Sequence, residues 1–109
     1  MHTLVPIGTF EDKARNLLGD GEFEGMLELL AKKPKSGGVI KGTGGLRKVR
    51  IARKGGGKSG GTRVIYYYHN ENKPILLLQI YAKADQEDLT GKQRIRLKKL
   101  VDELLDHFK

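Results

Sequence analysis

Between Glu28 and Glu71 the chain carries no acidic residue and eleven basic ones: Lys32, Lys33, Lys35, Lys41, Arg47, Lys48, Arg50, Arg53, Lys54, Lys58 and Arg63. The other 10 basic residues are outnumbered by 13 acidic ones, so the net charge of +8 is concentrated in the middle third. A solvated basic face usually mixes both signs. A one-signed stretch is the footprint of a surface that meets phosphates.

Such a stretch can do chemistry on RNA. The 2′-OH, once deprotonated, attacks the adjacent phosphorus. An enzyme supplies a base, an acid for the leaving 5′-oxygen, and cations for the charge that grows on phosphorus. A histidine pair is one solution, but His2 and His107 stand at opposite ends and His69 closes a strand-like segment. A Lys/Arg cluster is another: mutual repulsion lowers a lysine's pKa, while arginine keeps its charge and grips two phosphate oxygens. Two further readings compete. Gly57-Lys58-Ser59 has the ending of a nucleotide-binding P-loop, but Ala52 stands where the first glycine belongs, and a strand-like segment follows where a helix is needed. A non-catalytic nucleic-acid-binding module would need only the basic strands and the glycine loop. Tyr66, Tyr67 and Tyr68 add little stacking capacity, because alternation splits them between two faces and most of them read as core.

These residues need a frame. Leu46 to Ala52 alternates, with Val49 and Ile51 on one side and Lys48 and Arg50 on the other. Residues 53–61 form a loop with five glycines. Thr62 to His69 is β-branched and aromatic, and Arg63 opens it; Ile75 to Ala82 is nearly continuous apolar and reads as a central strand. Gln79, Tyr81 and Lys83 share one parity, so the three strands can form a meander with one cationic face. Thr3–Pro6 reads as a short first strand and residues 39–45 as a short extended piece with a glycine turn. Phe10, Ala14, Leu17 and Leu18, then Phe23, Met26, Leu27 and Leu30, have helical spacing and predict a hairpin, with Thr9 and Asp20 as caps and Pro34 as its end. Thr90 and Gln93 form a capping box for a last helix whose apolar stripe runs through Leu97, Leu100, Val101, Leu104, Leu105 and Phe108, with Arg94 on its solvated side. The expected fold is α+β, with the hairpin and the C-terminal helix on one face of a small antiparallel sheet.

The chain, 109 residues long, predicts a single domain over residues 1–109. It has no cysteine, and three scattered histidines predict no metal site; no cofactor is expected. No apolar segment is long enough to span a membrane and the start lacks a secretory pattern, so the expected location is cytoplasmic.

Residues 42–68, GTGGLRKVRIARKGGGKSGGTRVIYYY, resemble the signature of RelE/HigB toxins, the toxin halves of type II toxin–antitoxin systems. The subgroup with a long glycine-lysine loop, HigB, is the most similar. Leu77–Lys83 and Asp88-Leu89-Thr90 continue the pattern. The resemblance implies a RelE/ParE-like fold and a ribosome-dependent endoribonuclease, an mRNA interferase that cuts the codon in the ribosomal A site by 2′-OH attack. Its implied partners are the ribosome with its rRNA and mRNA, and a neutralising antitoxin, in this subgroup often a small helix-turn-helix protein of the HigA kind. By position, Lys48 and Arg50 match the family's basic pair, Arg63 its strand-start arginine at the scissile phosphate, and Lys83 its basic segment after the last strand; these four are the catalytic candidates. Arg47, Lys54, Lys58 and Tyr81 are the RNA-binding candidates. No tyrosine follows Tyr81 to stack on the substrate base, and Ala84 stands where the family has a further arginine. The related ParE toxins share the fold and inhibit DNA gyrase instead; they generally lack so complete a basic set.

Overall fold

The structure, a computed structural model, describes residues 2–52 and 61–107. Eight elements succeed one another: β1 (Leu4–Pro6), α1 (Phe10–Leu18), α2 (Asp20–Lys32), β2 (Gly38–Val39), β3 (Leu46–Ile51), β4 (Thr62–Tyr67), β5 (Ile75–Ala82) and α3 (Gly91–His107). They form the expected α+β architecture, a five-stranded sheet ordered β1-β5-β4-β3-β2 with three helices packed on it. Strands β2 to β5 make the antiparallel meander. The first strand adds a parallel edge: Leu4, Val5 and Pro6 pair with Ile75, Leu76 and Leu77. A parallel partner must be reached by a long connection, and here that connection is everything from α1 to β4.

Two cores flank the sheet. Phe10, Ala14 and Leu18 of α1 and Phe23, Met26 and Leu30 of α2 pack on Val49, Val64, Tyr66 and Leu77. Leu97 and Val101 of α3 pack on Leu46, Ile65, Leu76 and Leu78. Successive strand residues face opposite ways, so neighbours such as Leu76 and Leu77 serve different cores. The hairpin and α3 therefore lie on opposite faces, which corrects the expectation of one shared face. The reason is in β5, where every residue but Gln79 is buried: helices on one side only would leave Leu76 and Leu78 in water.

Local chemistry sets the boundaries. Thr90 Oγ1 accepts from the Gln93 amide at 3.1 Å and Gln93 Oε1 accepts from the Thr90 amide at 2.9 Å, so the capping box forms as expected. Gly19, at φ +80°, takes the cap position before α2 that Asp20 was expected to hold. α2 stops at Lys32, just short of Pro34. The buried Tyr66 hydroxyl donates to the Pro34 carbonyl at 2.7 Å and accepts from the Gly37 amide at 2.8 Å, tying the end of α2 to the sheet.

One irregularity decides which residues of β5 face α3. Ile65 pairs with Gln79 but Tyr66 pairs with Leu77, leaving Leu78 as an extra residue in β5. Below this bulge Ile75 and Leu77 join the hairpin core; above it Ile80 does, and Tyr81 joins the α3 core.

Candidate nucleic-acid interface

On the α3 face, β3, β4 and β5 present their side chains as rungs. Arg50 pairs with Arg63, and Arg63 with Tyr81. One step along, Lys48 pairs with Ile65, and Ile65 with Gln79. Ile65 and Tyr81 belong to the α3 core, which fixes the face. α3 buries this face from Leu97 onward and leaves the Arg50 end open: Arg50 is exposed, Lys48 and Arg63 are half-buried, and Tyr81 is buried. The cationic tray expected from strand parity is thus assembled, with Lys48, Arg50 and Arg63 side by side above Tyr81.

The backbone beneath it is held firmly. Thr62 is fully buried and its Oγ1 donates to the Ile51 carbonyl at 3.0 Å. Gly61, at φ +69°, lies so close that an added Cβ would stand 2.8 Å from the same carbonyl oxygen. Its own carbonyl accepts the Lys83 amide at 3.0 Å, which sets Lys83 directly after the top rung. Arg63 Nη1 reaches the Thr62 carbonyl at 3.4 Å.

The rim is closed by an acid that the sequence reading did not select. Asp88 Oδ1 accepts from Lys48 Nζ at 3.2 Å and from the Leu89 amide at 2.8 Å, and Oδ2 accepts from Arg94 Nη2 at 3.3 Å. Burial pushes the Asp88 carboxyl up, but the Leu89 amide, the Lys48 hydrogen bond and the charges of Lys48 and Arg94 outweigh it, and the net pKa lies below the ordinary aspartate value. Tyr81 is pushed the other way: burial and Asp88 raise its pKa against the opposing charges of Arg63 and Arg94, so it is a neutral phenol at physiological pH.

The remaining candidates are placed differently. Arg47 sits one residue out of phase with Lys48, on the hairpin face, and its Nη1 donates to the Gly37 carbonyl at 2.7 Å, so it does not join the rungs. Lys54 and Lys58 lie outside the described residues. Asp88 and Arg94 were missed as site residues because α3 periodicity assigns Arg94 to solvent; the signal that was present was the Asp88-Leu89-Thr90 stretch, an acid two residues ahead of a helix cap. Among the described residues no His, Cys, Asp and Glu side chains gather into a potential metal site, and no helix is long and apolar enough to cross a membrane.

A family model described as the RelE toxin of the RelE/RelB toxin–antitoxin system matches residues 31–109. The chain belongs to the RelE toxin family. The matched region contains β2 to β5 and α3, hence every element of the rungs and the rim; α1 lies outside it. A solved structure of a mutant of the E. coli toxin RelE in the free state superposes with a TM-score of 0.60 at 14% identity, covering 88% of this chain and 96% of that one. At that identity the likeness is one of fold. As a RelE toxin, this protein is the toxin component of a toxin–antitoxin system.

Proposed function

We propose that this RelE toxin is an endoribonuclease that cuts mRNA in the ribosomal A site and so inhibits translation. The observation that carries the reading is the rung Arg50–Arg63–Tyr81 with Lys48 beside it: three cations fixed on rigid strands, open to a polyanion on one side. The reaction is attack of the 2′-oxygen on phosphorus with departure of the 5′-oxygen, leaving a cyclic phosphate and a free 5′-hydroxyl. Arg63 holds the scissile phosphate and stabilises the charge that develops there. Lys48, Arg50 and Lys83 supply further charge and a transferable proton. Tyr81, a neutral phenol, serves as a donor at the floor of the site. This set contains no self-sufficient base–acid pair, which favours a ribosome that orients the 2′-OH. The neutralising partner is an antitoxin, a small helix-turn-helix protein of the HigA kind, and the subgroup is HigB-like, by the glycine-lysine block of residues 53–61.

The test is induced expression with mapping of RNA ends. Growth arrest with cuts confined to translated frames is the expected result. Rapid cleavage of naked RNA by the pure protein contradicts ribosome dependence. Intact mRNA with damaged DNA replaces this reading with gyrase inhibition.

A further inference from the structure

Arg94 stands in the first turn of α3, one helical turn ahead of Leu97, where the helix leaves the sheet uncovered. We propose that Arg94 is a further RNA-phosphate-binding residue of this site, and that Asp88 is the positioning residue that holds it there. The inference rests on the proposed nuclease reading and deepens it.

Four observations carry it. First, Arg94 is joined through one carboxylate to Lys48 on β3, so the helix cation and the sheet cation are parts of a single cluster. Second, the charges of both Arg63 and Arg94 act on Tyr81, which places the helix cation at the same floor as the strand cation. Third, two polar atoms of this spot are buried without a partner among the described residues, Tyr81 Oη and Arg94 Nε. Both can donate, and an acceptor oxygen meeting them satisfies what the fold leaves open. Fourth, α3 starts against its own dipole. α1 and α2 carry acids in their first turns, Glu11 and Asp12, and Asp20 and Glu22; α3 carries none there and has Lys92 and Arg94 instead. Cations at this end are unfavourable unless an anion accompanies them. Asp88 is one such anion, and an RNA phosphate is a second.

Asp88 is itself built into place. Gln86 Nε2 donates to the Asp88 carbonyl and to Gln93 Oε1, each at 2.7 Å, and Gln93 Oε1 also caps α3. The loop between β5 and α3 is thereby a strut that sets one carboxylate between two cations.

The experiment measures single-turnover cleavage on programmed ribosomes and the salt dependence of binding. If the wild type does not cut, the nuclease reading has failed; if it cuts, the variants decide. With Arg94→Ala, a fall in kcat/KM of about tenfold or more is expected, and the slope of log affinity against log salt drops by about one, as loss of one phosphate contact predicts. Arg94→Lys restores the slope and only part of the rate. Unchanged slope and rate in a folded Arg94→Ala protein overturn the binding role. With Asp88→Ala, kcat falls several-fold while KM holds or improves, because the cation remains and its orientation is lost. A faster Asp88→Ala enzyme overturns the positioning role, since it shows that Asp88 withholds the cations from substrate.

Discussion

Arg50 and Arg63 stand directly opposite one another across the β3–β4 pair. Like charges opposed on neighbouring strands are destabilising, by roughly 0.2–1 kcal/mol. Arg50→Thr is therefore expected to raise stability by about half a kcal/mol and to lower cleavage on ribosomes at least tenfold. Thermal melts beside single-turnover rates measure both. A variant that is less stable and equally active assigns Arg50 to the scaffold.

Arg63 is the residue on which the chemistry depends most. Arg63→Ala is expected to leave the protein folded, with a stability change of about 1 kcal/mol or less, since Arg63 is half-buried between Arg50 and Tyr81. The chemical step on programmed ribosomes, at saturating toxin, should fall on the order of a hundredfold or more, the usual cost of removing one transition-state donor. Arg63→Lys should recover part of that, since a point charge replaces a fork. Wild-type cutting by the alanine variant moves the role to Lys48 and Arg50.

Tyr81 gives a separable signal. Its hydroxyl is buried and partnerless among the described residues, so Tyr81→Phe removes a desolvated polar atom and no described hydrogen bond. Stability should hold or rise by up to about 1 kcal/mol, while cleavage drops if the hydroxyl meets the RNA. Because burial raises its pKa, the stability tied to the neutral phenol is present below the ordinary value of 10.0 and is lost as pH rises through the higher folded value. Alkaline melts should therefore show the Tyr81→Phe variant losing less stability than the wild type.

Asp88 predicts the opposite pH signature. Its folded pKa is lowered, so its stabilisation is present above the ordinary value of 3.8 and is lost as pH falls below it through the folded pKa. The difference in Tm between wild type and Asp88→Asn should be largest near neutral pH and shrink in acid. Salt should also shrink it, because the Asp88 side chain is 46% exposed. A difference that is constant with pH assigns the effect to shape and not to charge.

Tyr66 tests the scaffold independently of the site. Tyr66→Phe removes the partner of the buried Gly37 amide and of the part-buried Pro34 carbonyl, at a cost of about 1–3 kcal/mol. Gly37→Ala should hurt for a steric reason, since its Cβ would stand 2.8 Å from the Lys48 carbonyl oxygen and 2.9 Å from the Tyr66 ring. Urea unfolding measures both. An unaffected Gly37→Ala protein means the turn relaxes away from β3.

The strands were legible in the sequence by three different signals: the two-residue rhythm of Val49 and Ile51 against Lys48 and Arg50, the β-branched and aromatic content of Thr62 to His69, and the nearly continuous apolar run of Ile75 to Ala82. The helices were legible from their apolar stripes and from the Thr90–Gln93 box. What escaped was relational. No local pattern says that α3 crosses to the face opposite the hairpin; that follows from β5 needing cover on both sides. Arg47 and Lys48 are adjacent and chemically alike, and only the register separates the one bound to Gly37 from the one beside Asp88. Asp88 and Arg94 were invisible as a pair because they belong to a loop and a helix that meet the sheet only after folding.

The extra residue at Leu78 works as a phase change. A strand alternates its faces like a two-beat measure, and the bulge inserts one beat halfway along β5. Before it, the odd-numbered Ile75 and Leu77 face the hairpin; after it, the even-numbered Ile80 does, and the odd-numbered Tyr81 faces the side of the arginines. With Leu78 kept and the bulge ironed into plain alternation, Tyr81 would turn toward the hairpin and Ile80 toward the arginines; deleting Leu78 instead would leave Gln79, Ile80 and Tyr81 opposite Ile65, Val64 and Arg63 as they are now. In this fold the distinction between core and reactive surface is therefore carried by counting: Tyr81 reaches the arginines with the right parity because one residue before it stands outside the pairing.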